Sequence, residues 1–177
     1  LAHSYRLTAF IAAGVLILSQ SFASLVLTGL HTPSNIIGMS LLYLRIIFCG
    51  IPATAAYNMF ASALRAMGNS KTPLTAMIIA SVLNVSLDIL FVAGFGWGVA
   101  GAAIATVIAQ SFSAVYCFLI LRRIDIVHLT RADFMPASGM NARLMKLGIP
   151  VVFQNIIIGV GGLVVQYVIN GYGFLFV

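Results

Sequence analysis

Five long apolar runs, separated by short polar clusters, set the rhythm of the chain: residues 7–30, 36–64, 73–94, 99–121 and 144–172. Roughly 20 apolar residues, rising about 1.5 Å each, cross the hydrocarbon of a bilayer. Every run reaches that length. In lipid, an open strand would leave backbone N–H and C=O groups without partners, so each run predicts a helix. The polar clusters agree with this division. His31-Thr32-Pro33-Ser34-Asn35 reads as a turn. Gly68-Asn69-Ser70-Lys71-Thr72-Pro73 ends one helix and supplies a cap and an N1 proline for the next. Gly94-Phe95-Gly96-Trp97-Gly98 reads as a tight hairpin with an interfacial tryptophan. The longest polar stretch, 123–143, contains Pro136 and Gly139 and reads as a linker. Pro52 and Pro150 fall inside predicted helices and predict bends.

Composition sharpens the picture. Hydrophobic residues make up 62% of the chain and charged residues 7%, with a mean hydropathy of +1.11. A soluble domain carries about 25% charged residues, so this chain cannot coat its surface with charge. The expected fold class is all-α, a polytopic transmembrane helical bundle whose first partner is the lipid bilayer. The formal net charge of +6 does not point to nucleic acid. A nucleic-acid footprint is a continuous basic stripe with stacking aromatics, whereas these cations sit between apolar runs. With the amino end inside, the inside connections hold Arg6, Arg65, Lys71, Arg122, Arg123, Arg131, Arg143 and Lys146, and the connections at 31–35 and 94–98 hold none. The positive-inside rule therefore predicts cytoplasmic loops at 65–72 and 122–146 of a multi-pass protein of the cell membrane. The ninth cation, Arg45, lies inside the second run.

Cys49 and Cys117 fall in apolar runs, and His3, His31 and His128 are isolated, so neither a disulfide framework nor a metal site is expected. No cofactor is expected. The chain opens on Leu1 and stops in an apolar stretch at Phe176-Val177, which reads as an internal fragment.

The polar residues inside the runs carry the candidate chemistry. Asp88 is the only acid within a predicted helix. A carboxylate at the bilayer centre costs roughly 2.5–3.5 kcal/mol even on the lenient insertion scale, so it must face the bundle interior. Asn84 lies one turn earlier on the same face. Counting about 1.5 Å per residue from the outer helix ends puts Asp88 roughly 9 Å deep, and Thr106 and Tyr43 each about 10 Å deep. Three oxygen-bearing side chains and one amide thus share a layer of three successive helices. Two readings of Asp88 stand side by side. It is a carrier of a proton or cation, or it is fixed in a salt bridge with Arg45, which lies slightly deeper. Gly98, Gly101, Ala102, Ala103 and Ala105, and then Gly159, Gly161 and Gly162, predict close helix packing. Gln154, Asn155, Gln166 and Asn170 in the last run either line a substrate cavity or bond neighbouring helices.

The segments YLRIIFCGIPATAAYNMFASALRAMGNSKTP, NVSLD, GVAGAAIATVIAQ, KLGIPVVFQN and VINGYG, in this order and spacing, resemble the multidrug and toxic compound extrusion (MATE) family. The resemblance implies a twelve-helix transporter of two six-helix lobes, of which this chain holds helices three to seven. It implies that residues 1–122 are the remainder of the amino-terminal lobe, 123–143 the cytoplasmic inter-lobe linker, and 144–177 the first, truncated helix of the carboxy-terminal lobe. The missing helices of the same polypeptide would be partners. In the branch named after the DNA-damage-inducible protein F, an N-x-x-x-D motif, a tyrosine, a threonine and a first-helix aspartate form an amino-lobe cation site. These correspond to Asn84 with Asp88, Tyr43 and Thr106, with the first-helix aspartate outside the chain. The other major branch places a glutamate where this chain has Ile158, and the chain contains no glutamate.

The function implied is secondary active efflux of organic, often cationic, compounds in exchange for H⁺ or Na⁺ by alternating access of a central cavity. The alternatives are a lipid-linked oligosaccharide flippase of the same superfamily and a non-transporting membrane fragment. An enzyme is not expected, since no nucleophile–base pair, metal cluster or phosphate loop appears.

Overall fold

The computed structural model describes residues 2–29, 36–124 and 140–171. All secondary structure among them is helical: α1 (Ala2–Gly29), α2 (Ile37–Cys49), α3 (Ile51–Ala66), α4 (Lys71–Asp88), a π-helical turn (Ile89–Gly94), α5 (Gly98–Arg122) and α6 (Met140–Gly171). Joined across their bends, these give five spans long and apolar enough to cross a membrane. The expected helical membrane bundle is the observed fold. The chain divides into two compact units, Leu1–Phe134 and Met135–Val177.

The helix boundaries depart from the apolar runs for physical reasons. Helix α1 starts at Ala2, ahead of the apolar run, because hydrogen bonding continues through His3-Ser4-Tyr5-Arg6. Tyr5 in that extra turn stacks on Phe60 with ring centroids 6.2 Å apart. Helix α6 starts at Met140, so the last residues of the expected linker are helical, and Met, Ala and Arg are good helix formers. The run at 36–64 breaks in two at Gly50, where the Gly50 N–H turns back to the Ile47 carbonyl at 2.9 Å. Pro52 has no N–H to offer the preceding turn, which is the expected bend. Helix α6, by contrast, runs through Pro150 without interruption.

The loop between α3 and α4 is closed by its own hydrogen bonds. Gly68 adopts φ +82°, which an L side chain resists, and this lets Asn69 N–H reach the Leu64 carbonyl at 2.9 Å and Gly68 N–H the Arg65 carbonyl at 3.0 Å. The Asn69 side chain then accepts the Thr72 N–H at 3.1 Å and starts α4. Helix α4 therefore begins at Lys71, and Pro73 falls in its first turn rather than at its first position. A proline is harmless there, since first-turn N–H groups have no intrahelical acceptor.

Packing in the first unit inverts the pattern of a soluble core. Helix α5 is the hub and packs against α2, α3 and α4, while α1 packs against α2 and α3. Most of the buried positions are small: Ala61, Ala76, Ala103 and Ala105 are fully enclosed, and Gly50 and Gly101 are buried, beside a few larger side chains such as Phe60 and Leu64. The large side chains point out, with Phe10 81% and Leu25 64% exposed. Between helices in lipid the hydrophobic effect is weak, so close approach of backbones over small residues does the work. Of the stripe expected to pack, Gly101, Ala103 and Ala105 are buried, whereas Gly98 is exposed and serves the hairpin at φ +54°. Within the second unit, Gly159, Gly161 and Gly162 are exposed on α6.

The hairpin between the π-helical turn and α5 is the tightest joint. A Cβ at Gly101 would lie 2.9 Å from Phe91 Cβ and 3.2 Å from the Phe91 carbonyl carbon. Phe91, Phe95 and Trp97 stack over this point with centroid spacings of 5.1–6.0 Å. Gly101→Ala is expected to cost about 1–3 kcal/mol by overpacking. Gly14→Ala, with nothing within 4 Å of its Cβ position, is the matched control. Thermal unfolding of the detergent-solubilised protein should show a lower midpoint for the first variant and none for the second.

Candidate functional site

Helix α4 places Asn84 and Asp88 one turn apart, and α5 packs alongside it in the opposite sense. The Asn84 amide donates to Thr106 Oγ1 at 3.4 Å, and the Thr106 hydroxyl donates to its own Ala102 carbonyl at 3.0 Å. These two side chains of the expected layer meet directly. Asp88 follows one turn on, toward the C-terminal end of α4, half-buried, with its Oδ1 fully enclosed and, among the described residues, without a hydrogen-bond partner. A buried carboxylate oxygen with no donor costs far more than a paired one. That oxygen is the outstanding polar anomaly of the unit.

Tyr43 is placed differently. It lies on α2 and is 37% exposed, and α2 and α4 do not approach each other because α5 stands between them. No hydrogen bond joins Tyr43 to the Asn84–Thr106 pair among the described residues. Arg45 is exposed on α2 and forms no ion pair with Asp88 among the described residues. The salt-bridge reading of Asp88 therefore lacks its geometry. The Arg45 carbonyl instead accepts from the Gln20 amide at 2.8 Å, a bond that ties α1 to α2 just before the Gly50 break.

From the pair toward the N-terminal end of α4 opens a cleft of about 180 Å³, lined by Tyr57, Met77, Ala80, Ser81, Asn84, Thr106, Ala109, Gln110 and Ser113. Such a volume holds several water molecules, and its polar wall supplies the partners they need. Ser113 is buried and donates to the carbonyls of Ala109 at 3.3 Å and Ala76 at 3.5 Å. The Tyr57 hydroxyl donates to the Pro73 carbonyl at 3.3 Å. Tyr57, Ser81, Gln110 and Ser113 were not among the residues singled out from the sequence. Their signal was present for three of them. Thr106, Gln110 and Ser113 repeat at i, i+4, i+7 on α5, and Ser81, Asn84 and Asp88 at i, i+3, i+7 on α4, each set marking one helix face.

In the second unit, Gln154 and Asn155 are exposed on α6. Gln166 and Asn170 fall on the same helix, and their side chains lie outside the described residues, as do Asp125, Asp133, His31 and His128 altogether.

A family model described as MatE matches residues 1–90, just over half of the 177 residues. The chain belongs to the MatE family. MatE proteins are transporters rather than enzymes, and the names of the relatives agree. The chain is 36% identical over 151 residues to the probable multidrug resistance protein YpnP of Bacillus subtilis, covering 85% of this chain and 34% of that protein. It is 28% identical over 138 residues to the multidrug export protein MepA of Staphylococcus saprophyticus, covering 77% of this chain and 31% of that protein. It thus spans about a third of the length of the relatives it matches. Among solved structures it resembles an inward-facing multidrug-resistance MATE-family transporter, with a TM-score of 0.76. It also resembles a MATE protein in a bent conformation, with a TM-score of 0.78. Each likeness is 24% identical and covers 84% of this chain and 34% of the other, and it shows the fold.

The MatE fold thus presents a weak but direct link between α4 and α5 at the heart of the polar layer. Interhelical hydrogen bonds in membranes average about 0.6 kcal/mol. A double-mutant cycle of Asn84→Ala and Thr106→Val, read by unfolding in detergent, should return a coupling energy of about that size. Strict additivity of the two substitutions would show that the pair does not interact.

Proposed function

We propose that this chain is the core of the amino-terminal lobe, with the first helix of the next lobe, of a multidrug efflux transporter driven by H⁺ or Na⁺. The observation that carries the reading is the enclosed, partnerless Asp88 Oδ1 one turn from the Asn84–Thr106 contact. A proton or a monovalent cation is the smallest species that relieves such an oxygen, and intramembrane acids are expected to be functional. The multidrug names of the relatives support drugs as the class of cargo, and in this reading they are organic, often cationic, compounds. Gln154, Asn155, Gln166 and Asn170 are the candidate cavity residues of the second unit.

In this reading the ion and the cargo favour opposite states of the two lobes, which rock about the connection at 123–143. Only an ion that discriminates between the states shifts their populations. Loading Asp88 removes the cost of an unpaired buried oxygen in one state and so stabilises that state. Tyr43 joins the site through residues outside this chain or through a different arrangement of α2. The loops at 65–72 and 122–146 face the cytoplasm, and the membrane is the cell membrane.

The test uses the full-length protein in proteoliposomes, with efflux of a fluorescent organic cation under an imposed proton or sodium gradient. Asp88→Asn should lower gradient-driven efflux by at least about fivefold, the lower end for coupling between sites. Equal transport by Asp88→Asn and wild type, at equal insertion, would remove Asp88 from the mechanism.

A further inference from the structure

A second cleft, of about 250 Å³, runs between α1 and α3 and is lined by residues from Tyr5 to Leu16 on one side and by Pro52, Ala55 and Met59 on the other. It is unconnected with the Asp88 layer, which lies between α4 and α5. From Tyr5 to Leu16 it follows α1 for roughly 16 Å at about 1.5 Å per residue, close to half of the roughly 30 Å hydrocarbon core, which is one leaflet. Spread over that length, the volume gives a cross-section of roughly 16 Å². A slit that slim suits an extended chain and is far short of a helix, whose diameter with side chains is about 10–12 Å.

The end of this groove is basic. Along α3 the lining positions Ala55 and Met59 continue to Ser62 on the same face, and the Arg65 guanidinium reaches back to donate to Ser62 Oγ at 3.2 Å. Tyr5, at the groove mouth, stacks on Phe60, which meets Phe118 with centroids 5.2 Å apart. The Arg122 guanidinium lies over the Phe118 ring, 5.6 Å from its centroid. Arg65, Lys71, Arg122 and Arg123 are all exposed at the ends of α3, α4 and α5, and Arg65 and Arg122 directly follow Leu64 and Leu121 of the buried cluster Phe60, Leu64, Ala76, Cys117 and Leu121. None of the four meets a carboxylate among the described residues, and the only described acid of this unit, Asp88, lies toward the other end of α4.

We infer that the α1–α3 groove and its basic rim form a binding site for an anionic phospholipid, one acyl chain in the groove and the phosphate on Arg65, with Arg122 beside it. A soluble anion satisfies the rim but not the groove, and an uncharged lipid satisfies the groove but not the rim. A purely apolar stretch of the same protein would fill the groove and leave the four cations without a carboxylate.

The test is native mass spectrometry of the full-length protein, delipidated in detergent and then given phosphatidylglycerol or phosphatidylcholine with identical acyl chains. Wild type should retain phosphatidylglycerol in preference. Arg65→Gln should lower that retention about fivefold, the weight of one cation near an anionic surface, and leave phosphatidylcholine unchanged. Arg65→Lys should keep the preference, and Ala55→Leu, which fills the groove, should release both lipids. Equal retention of the two lipids by wild type would overturn the inference. So would phosphatidylglycerol binding untouched by Ala55→Leu, or a failure to retain any lipid because other helices cover the groove.

Discussion

In hydrocarbon no water is available to rescue an unpaired polar group, so each N–H, C=O, hydroxyl and carboxylate must find its partner inside the protein. Most of this chain obeys by the shortest route. Its backbone is helical, and its hydroxyls turn back on their own helix: Ser21 donates to the Ile17 carbonyl, Thr28 to Ser24, Ser86 to Val82 and Ser111 to Val107. Against that background the bonds between helices are few: Gln20 ties α1 to α2, Tyr57 ties α3 to α4, and a polar layer forms between α4 and α5. There Asn84 and Thr106 bond across helices, and the enclosed Asp88 oxygen has no partner among the described residues. The same demand shapes the packing, since helices that must hold each other without a hydrophobic drive meet through Gly50, Ala61, Gly101, Ala103 and Ala105.

The spans were legible in the residues because a bilayer imposes one length and one secondary structure on an apolar run. The class of fold followed from that alone. The family followed from motif order, and residues 1–90 match its model. What periodicity does not carry is the ends and the bends. Helix α1 extends through polar His3 to Arg6 because hydrogen bonding does not stop where hydrocarbon does. The last turn after Asp88 is π-helical, with Phe95 N–H on the Leu90 carbonyl at 2.9 Å, and nothing in ILFVAG distinguishes it from an α-helical turn.

For the candidate site, depth counting found the layer and missed the neighbourhoods within it. Asn84 and Thr106 share a depth and a contact. Tyr43 shares the depth, yet α5 separates its helix from α4. Depth is one coordinate of three, and the helix order around the bundle supplies the others. Tyr57 on α3 and Gln110 on α5 line the cleft beside the pair but lie off the acid layer, so depth alone does not mark them. Arg45 lies close to Asp88 in depth, yet on a helix that does not meet α4.

The central claim is that Asp88 is a carboxyl group enclosed without a protein partner and open to a small cation. Carbodiimide labelling of the full-length protein in native membranes, with the modified residue located by mass spectrometry, reads this most directly. The account predicts modification at Asp88 that changes with pH or falls when Na⁺ is added, and that disappears in Asp88→Asn. An Asp88 that resists the reagent at every pH, or that reacts indifferently to both pH and Na⁺, would contradict it.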